Sequence, residues 1–189
     1  MSSAVSALSG AAYAGYVQVV EAGLNGMITL RGDLSDAAFT KAFKAAIGLD
    51  VPDTRGISFK GKKGVAWMSP DELMVFVAYE DATKTVAALS EALGEQHHLV
   101  VDVSDARAMF TLSGSSVREV VAKLCPVDMD PEQFGPGKIR RTRMAQIPAA
   151  IWMPKEGEIN VICFRSVAQY AFDLLKDAAT PGSEVGLFS

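Results

Sequence analysis

The sequence predicts an α+β fold made of two similar halves, each of order β-α-β-β-β-α, with antiparallel or mixed sheets and helices packed on one face. In residues 99–114, two extended runs meet at a polar corner between two helical patterns. The segment Met27–Gly32 (MITLRG) is echoed by Met109–Gly114 (MFTLSG), and Trp67 recurs as Trp152 in a similar context. A repeat this long indicates a duplicated half-domain, because the units of a solenoid are only about 20–50 residues long.

This repeat also predicts how the chain is divided. The 189 residues are enough to bury a sizeable core, and we expect one domain in two intimate halves. We place the first half at residues 16–98 and the second half at residues 99–189. Residues 1–15 are rich in small side chains and contain no lysine or arginine, so we expect a flexible N-terminal tail rather than a signal peptide.

The elements of the first half follow from the spacing of apolar residues. The apolar residues between positions 38 and 47 recur at helical spacing and predict a helix with one apolar face. Asp33 or Ser35 is the expected cap and Gly48 the expected end of this helix. Leu73–Ala78 is apolar throughout and therefore predicts a central strand. The other predicted elements are strands at 16–20, 27–31, 57–60 and 65–68, and a helix from 81 or 83 to 93.

The second half repeats this order with variations. Ser116 with Glu119, and Ser166 with Gln169, each match a capping box, in which the two side chains satisfy free amides of the first helical turn. The predicted helices, loop and strands are helices at 117–124 and from 166 to about 178, a loop at 127–137, and strands at 101–103, 108–112, 138–147, 150–153 and 159–164.

Composition limits the classes of partner. The net charge of −4 argues against nucleic acid as the main ligand, because binding to phosphates requires a basic surface. No apolar run reaches the roughly 18 residues of a membrane-spanning helix, so we expect no membrane partner. Cys125 and Cys163 lie in apolar patterns whose spacing fits no metal motif, which is typical of buried free thiols in a reducing compartment, and we expect a cytoplasmic protein.

Few residues are candidates for chemistry. His97 and His98 are adjacent, so on a strand they would point to opposite faces and could not bind one ion together. We expect both to be solvated or boundary residues. The chain has no nucleophile-elbow, dinucleotide-binding or P-loop motif. We therefore assign no catalytic, cofactor-binding or metal-binding residue to this chain.

The sharpest charge cluster is the predicted strand that contains Lys138, Arg140, Arg141 and Arg143. On a strand, Lys138 and Arg140 share one face, and Arg141 and Arg143 share the other, which is typical of an edge or an interface. Arginine forks bind carboxylates and phosphates, so these four residues are candidate contacts to an anion or to a partner protein. The alternative is a solvated edge strand whose charges prevent aggregation.

Four aspartates are further candidates for acid–base chemistry: Asp102, Asp105, Asp128 and Asp130. We expect Asp105 to turn the polar corner, and Asp128 and Asp130 to cap or turn within their loop. Trp67 and Trp152 are expected in the core, with anchoring of an interface as the alternative.

Several segments, taken in order, match one protein family. They are Trp67–Leu73 (WMSPDEL), Val100–Asp105 (VVDVSD) with Arg107, Leu112–Gly114 (LSG), Cys125–Asp128 (CPVD), Phe134–Gly137 (FGPG) with Thr142, and Arg165–Tyr170 (RSVAQY). Over about Val17 to Gly186, the chain resembles the gamma subunits of heterotetrameric sarcosine oxidases. Each motif is weak alone, and the specificity lies in their joint order.

The resemblance implies a fold related to the folate-binding half of the glycine-cleavage T-protein. It also implies alpha, beta and delta partner subunits that hold NAD, FAD, FMN, zinc and tetrahydrofolate, with no cofactor in this chain. In such complexes the N-methyl carbon of sarcosine loses a hydride to flavin, electrons pass through a second flavin to oxygen, and folate takes the one-carbon unit. The implied role of this chain is structural: it buries apolar surface of the large subunit and fixes its folate domain.

Two other functions remain open. One is a free-standing folate- or pterin-binding protein of the aminomethyltransferase-like fold, using Arg140, Arg141 or Arg143. The other is a small transferase, against which the missing nucleophile and metal cluster count. Folate-using relatives carry a Lys-Gly-Cys-Tyr/Phe motif near the equivalent of Gly137–Ile139, and the absence of cysteine there argues against independent folate chemistry.

Overall fold

The computed structural model describes residues 3–188, which divide into two compact units. The middle unit is Leu24–Asp105, and the terminal unit joins the described residues up to Gly23 with those from Ala106 onward. The strands are β1 (Ala12–Ala14), β2 (Gln18–Glu21), β3 (Gly26–Gly32), β4 (Ile57–Lys60), β5 (Lys63–Ser69), β6 (Glu72–Val77), β7 (His98–Asp102), β8 (Arg107–Ser113), β9 (Ile139–Met144), β10 (Ile147–Lys155) and β11 (Glu158–Phe164). The α-helices are α1 (Ala37–Ile47), α2 (Ala82–Leu93), α3 (Val117–Leu124) and α4 (Ala168–Ala178), and short 3₁₀-helices are Tyr79–Asp81, Ser104–Ala106 and Arg165–Val167.

The middle unit is an antiparallel sheet of order β4-β5-β6-β3-β7 with two helices on one face. Phe39 and Phe43 of α1 and Leu89 of α2 are buried in one apolar cluster with Ile28 and Leu30 of β3. Strand β6 lies at the centre of this sheet, as its apolar sequence predicts. Side chains on both faces of β6 are buried, which explains why the strand is apolar throughout.

The terminal unit is an antiparallel sheet of order β1-β2-β8-β11-β10-β9, also with two helices on one face. Val120 of α3 and Phe172 of α4 pack in a cluster with Phe110, Ile151 and Val161 from the sheet. The rings of Phe110 and Phe172 have centroids 6.2 Å apart, so an aromatic pair joins α4 to the middle of the sheet.

The two units repeat one design. Read from the other end, the terminal sheet runs β9-β10-β11-β8-β2, which matches β4-β5-β6-β3-β7, with β1 added at its edge. The echoed segments form β3 and β8, and Trp67 and Trp152 occupy equivalent positions on β5 and β10, half-buried and buried respectively. The α+β class, the element order and the helices on one face of each sheet are thus confirmed.

The boundary between the units differs from the predicted division at residues 98 and 99. Strand β7 pairs with β3 and therefore belongs to the middle unit, although it lies mostly beyond residue 98. Strand β2 pairs with β8 and belongs to the terminal unit, although it precedes the whole middle unit in the chain. Periodicity identifies strands but not their partners, so the sequence could not reveal this exchange of outer strands.

The described part of the predicted flexible tail at residues 1–15 is structured. Residues 12–14 form β1, which pairs with β2. Upstream of it, the Glu21 carboxylate accepts hydrogen bonds from the Leu8 and Gly10 amides and from the Ser6 hydroxyl, at 2.7–2.9 Å. The buried Glu21 carboxylate therefore orders this segment, together with Leu8 and Tyr13, which pack against the apolar core. Residues 1 and 2 lie outside the described residues.

The predicted side-chain caps of α1, α3 and α4 are wrong, while the predicted start of α3 and the predicted ends of α1, α2 and α3 are confirmed. Asp36 caps α1 by accepting from the Ala38 amide at 2.8 Å, and Asp33 instead accepts from Ser35. Neither predicted capping box forms: α3 has no side-chain cap at Ser116, and α4 begins after Val167 with none. Gly48 ends α1 in the left-handed region, at φ 82°, which glycine adopts without strain.

The chain turns earlier than predicted between β9 and β10. The sequence predicts a strand at residues 138–147, but Ala145 adopts a left-handed conformation and its amide donates to the Leu124 carbonyl. Ile147 therefore already belongs to β10, and Pro148 lies opposite Arg143 within the pair. An alanine in this conformation gives no sequence signal, because turns of this kind favour glycine or asparagine.

Candidate functional site

The predicted basic cluster lies on β9, at the edge of the terminal sheet. Arg140 is opposite Ile151, whose side chain belongs to the helix-facing core, and Arg141 is opposite Ala150 on the other face. The pairing register places Arg140 on one face and Arg141 and Arg143 on the other, and Lys138 directly precedes β9. The four cations do not converge on one point, so they form two separate groups rather than one clamp for a single anion.

Lys138 and Arg140 are engaged with the loop that precedes β9. Lys138 Nζ donates to the carbonyls of Glu132 and Gln133, both at 3.1 Å. The Arg140 guanidinium donates to the carbonyls of Gln133 and Ile139, both at 3.0 Å. Its Cζ atom lies over the Phe134 ring, 5.6 Å from the ring centroid. Both side chains therefore hold their own chain in place.

Arg141 and Arg143 lie exposed on the opposite face of the same edge strand. Guanidinium groups at this spacing form a short basic strip along the sheet edge. Of the four residues singled out in the sequence, these two are placed where a partner or an anion could reach them.

A buried arginine organises the loop behind this strand. Arg118 on α3 is 4% exposed, and its guanidinium donates to the carbonyls of Met129 and Phe134 at 2.8 and 2.7 Å. The same group forms a two-pronged ion pair with Glu156, at 2.9 and 2.8 Å. This contact lowers the pKa of the Glu156 carboxyl below its ordinary value of 4.5, so the pair remains ionised at neutral pH.

The next residue on α3, Glu119, holds the C-terminal segment. Its carboxylate is 3% exposed and accepts from the Val185 and Leu187 amides at 2.9 and 3.1 Å and from the Tyr16 hydroxyl at 3.2 Å. The amide of Val185 lowers the pKa of Glu119, and contacts from Lys123, Tyr16 and Leu187 act in the same direction against the opposing effect of burial.

Two thiols and four aspartates complete the candidate groups. Burial raises the pKa of Cys125 to about 12 and that of Cys163 to about 11, so neither thiol is activated. The aspartates serve turns: Asp128 and Asp130 each accept from an amide two residues later, as predicted. At the polar corner, Asp102 accepts from the Ser104 amide and hydroxyl, while Asp105 accepts from Tyr79, so Asp102 rather than Asp105 makes the turn.

Within residues 3–188, no three histidine, cysteine, aspartate or glutamate side chains are close enough together to bind a metal ion. Over the same range, every helix is too short or too polar to cross a lipid bilayer.

The family model of the sarcosine oxidase gamma subunit matches residues 31–181. The chain belongs to the sarcosine oxidase gamma subunit family. Among curated relatives, the gamma subunit of sarcosine oxidase from Corynebacterium sp. (strain P-1) is 30% identical over 167 residues, which span 87% of this chain and 81% of the relative. The gamma subunit from Corynebacterium sp. (strain U-96) is 30% identical over 139 residues, 72% of this chain and 67% of the relative.

Two solved structures are similar to this chain in fold. A chain of the heterotetrameric sarcosine oxidase from Corynebacterium sp. U-96, in complex with pyrrole 2-carboxylate, superposes with a TM-score of 0.82 at 26% identity, covering 92% of this chain and 89% of that chain. Aminomethyltransferase T of the glycine cleavage system from Bartonella henselae superposes with a TM-score of 0.61 at 11% identity, covering 80% of this chain and 43% of that chain. The second likeness concerns the fold alone.

Sequence patterns did not reveal that Arg118 and Glu119 on α3 of this gamma subunit family member are buried charges. Arg118 and Glu119 sit next to the apolar positions Val117, Val120 and Val121, and only Glu119 with Lys123 shows a recognisable spacing, that of an i,i+4 ion pair. That spacing is usually found on solvated helix faces. Its burial here results from chain segments distant in sequence, which periodicity does not show.

Proposed function

We propose that this chain is the gamma subunit of a heterotetrameric sarcosine oxidase and acts in it as a structural subunit. The similarity to a chain of such a complex, over nearly the full length of both, is the observation that carries this proposal. The complex would oxidise sarcosine to glycine, pass electrons to oxygen and transfer the one-carbon unit to tetrahydrofolate in the cytoplasm.

We place the flavins, NAD, zinc and folate of that complex in its alpha, beta and delta subunits. The state of the titratable groups in this chain supports this assignment. The two thiols are protonated at neutral pH, which makes them poor nucleophiles. Glu21, Glu119 and Glu156 have lowered pKa values and each holds a chain segment, so none is a proton donor at neutral pH.

Arg141 and Arg143 are the proposed contacts to the large subunit. They are exposed, they lie at a sheet edge, and their charge is opposite to that of the chain as a whole, which is −4. An acidic surface on the partner would complement them, and such complementarity fixes orientation and speeds association. Lys138 and Arg140 contribute indirectly, because they hold the loop against which this strand rests.

Co-purification of the complex tests this assignment. We expect the double variant Arg141→Glu/Arg143→Glu to fold normally and to lose at least about tenfold in affinity for the tagged large subunit, the effect of some 1.4 kcal/mol. Lys62→Glu/Lys63→Glu makes the same charge change at two exposed residues, one in the turn after β4 and one at the start of β5, and is the matched control. Equal recovery of both variants would show that the basic strip of β9 is not the contact.

Titration with tetrahydrofolate separates this role from that of a free-standing folate-binding protein. As a structural subunit, the isolated chain should show no saturable binding at ligand concentrations that saturate the complex. Tight binding by the isolated chain, lost in Arg140→Gln or Arg141→Gln, would support the alternative.

A further inference from the structure

An open cavity of about 490 Å³ is formed within the middle unit. It lies where the end of β3, the turn between β5 and β6 and the start of β7 come together, because Gly32 pairs with His98 and Arg31 pairs with both Leu99 and Glu72. The lining residues are Arg31, Gly32, Asp71, His97, His98 and Leu99. Cavities of this volume are of the size that accommodates small molecules, roughly 300–1,000 Å³.

The acidic group of this cavity is already satisfied. Asp71 Oδ1 accepts from the Ser69 hydroxyl at 2.6 Å, and Oδ2 accepts from the Arg31 guanidinium at 2.8 Å. The Ser69 hydroxyl lowers the pKa of Asp71 against the opposing effect of desolvation, and Arg31 lowers it further, so the carboxylate stays ionised and positions Arg31. A guanidinium has five N–H donors, and Arg31 keeps further donors for a second anion.

Two histidines lie on the polar side of the cavity. His98 Nδ1 lies 2.7 Å from the Gln96 carbonyl oxygen. A carbonyl only accepts, so Nδ1 carries a proton and donates, and the ring can donate to a carboxylate through Nε2 only in its doubly protonated form. His97 precedes β7 rather than lying on it, and both histidines line one cavity, although their adjacency predicts opposite faces.

An apolar wall lies beside these polar groups. Leu99 is 51% exposed, and Val101, two residues further along the same face of β7, is 39% exposed. We propose that the cavity binds a small carboxylate with an apolar body, with the carboxylate at Arg31, the His98 ring beside it and the apolar body against Leu99. A free phosphate would satisfy Arg31 but would leave Leu99 uncovered.

Titration of the full chain with butyrate, followed calorimetrically and by the NMR signals of the histidine rings, tests this site. We expect saturable binding of butyrate, perturbation of the His98 signals, and weaker binding of neutral butyramide and of inorganic phosphate. Arg31→Gln should weaken butyrate binding at least about tenfold through loss of a charge-assisted hydrogen bond. Lys62→Gln removes the same charge from an exposed turn and should change nothing.

A second variant moves the affinity in the opposite direction. Asp71→Asn releases Arg31 from its ion pair and should strengthen butyrate binding, a result that does not depend on whether Arg31→Gln folds. Equal binding of butyramide, tighter binding of phosphate, or unchanged affinity in the two cavity variants would overturn the proposal. It would also be overturned if millimolar butyrate left the His98 signals unchanged. None of these outcomes depends on assembly with other subunits.

Discussion

Lys123 Nζ lies 3.3 Å from Glu119 Oε1, and this ion pair fastens both ends of the terminal unit to α3. Lys123 donates to the Tyr16 hydroxyl at 2.8 Å and to the Ser183 carbonyl at 2.6 Å. Glu119 accepts from the amides of residues 185 and 187. Because the Glu119 carboxylate is shielded from water, its hydrogen bonds are stronger than those of surface pairs, and they order the segment that it holds.

Replacement of Glu119 by glutamine should release the C-terminal segment. Glutamine keeps the size of the side chain but removes the charge that accepts several hydrogen bonds, so we expect the free energy of unfolding to fall by about 2 kcal/mol. Amide hydrogen exchange at Val185 and Leu187 should accelerate. Glu91→Gln, on an exposed position of α2, is the matched control. Unchanged exchange at both amides would show that Glu119 does not hold this segment.

Replacement of Arg118 by glutamine should loosen the loop at residues 128–137. The carbonyls of Met129 and Phe134 would lose their donor while buried, and Glu156 would lose its partner. We expect a loss of about 3 kcal/mol in urea unfolding, from unsatisfied polar groups. Arg143→Gln removes the same charge from an exposed position and should cost less than about 0.5 kcal/mol. Similar losses in the two variants would rule out the anchoring role of Arg118.

The stability of the chain should decrease as the pH falls below 5. For Glu21, burial raises the pKa, but the amides of Gly10 and Leu8 and the Ser6 hydroxyl together lower it, and the pKa of Glu119 is lowered as well. Both folded values lie below the ordinary 4.5, so at intermediate pH the unfolded chain binds more protons than the folded chain. Stability is therefore complete above about pH 5.5 and is lost as the pH decreases through the folded values.

Urea unfolding between pH 7 and pH 3.5 measures this effect. The wild-type chain should lose more stability on acidification than the double variant Glu21→Gln/Glu119→Gln, since glutamine does not titrate in this range. Parallel curves for the two proteins would show that other groups cause the acid sensitivity.

Local patterns in the sequence predict most of the secondary structure of this chain. The apolar periodicity of α1 with its glycine end and the unbroken run of β6 each identify an element whose type is decided within a few residues. The echo between β3 and β8 also reveals the repeated order, because equivalent strands keep similar core residues.

Interactions between distant segments explain what the sequence does not predict. Glu119 matches a capping box, but its carboxylate serves amides 66 and 68 residues away. Glu21 similarly orders a segment that composition predicts as a flexible tail. At β9 the alternation separates Arg140 from Arg141 and Arg143, yet only the hydrogen bonds to Gln133 show that Lys138 and Arg140 contact the loop.

The two cysteines should be unreactive in the folded chain. Burial holds the pKa of Cys125 near 12 and that of Cys163 near 11, and the thiolate is the reactive form. With Ellman's reagent at pH 7.5 we expect slow, incomplete reaction of the native chain and rapid reaction of both thiols in guanidinium chloride. Rapid stoichiometric labelling of the native chain would contradict the buried environment of both residues.

The most direct test of the structural role is sarcosine-dependent oxygen consumption by a complex assembled with wild-type chain or with Arg141→Glu/Arg143→Glu, measured per bound flavin. We predict that the variant lowers the yield of complex, that the complex which does form has unchanged kcat and KM, and that the chain alone consumes no oxygen. Full assembly of the variant with a reduced kcat, or sarcosine oxidation by the isolated chain, would contradict this account.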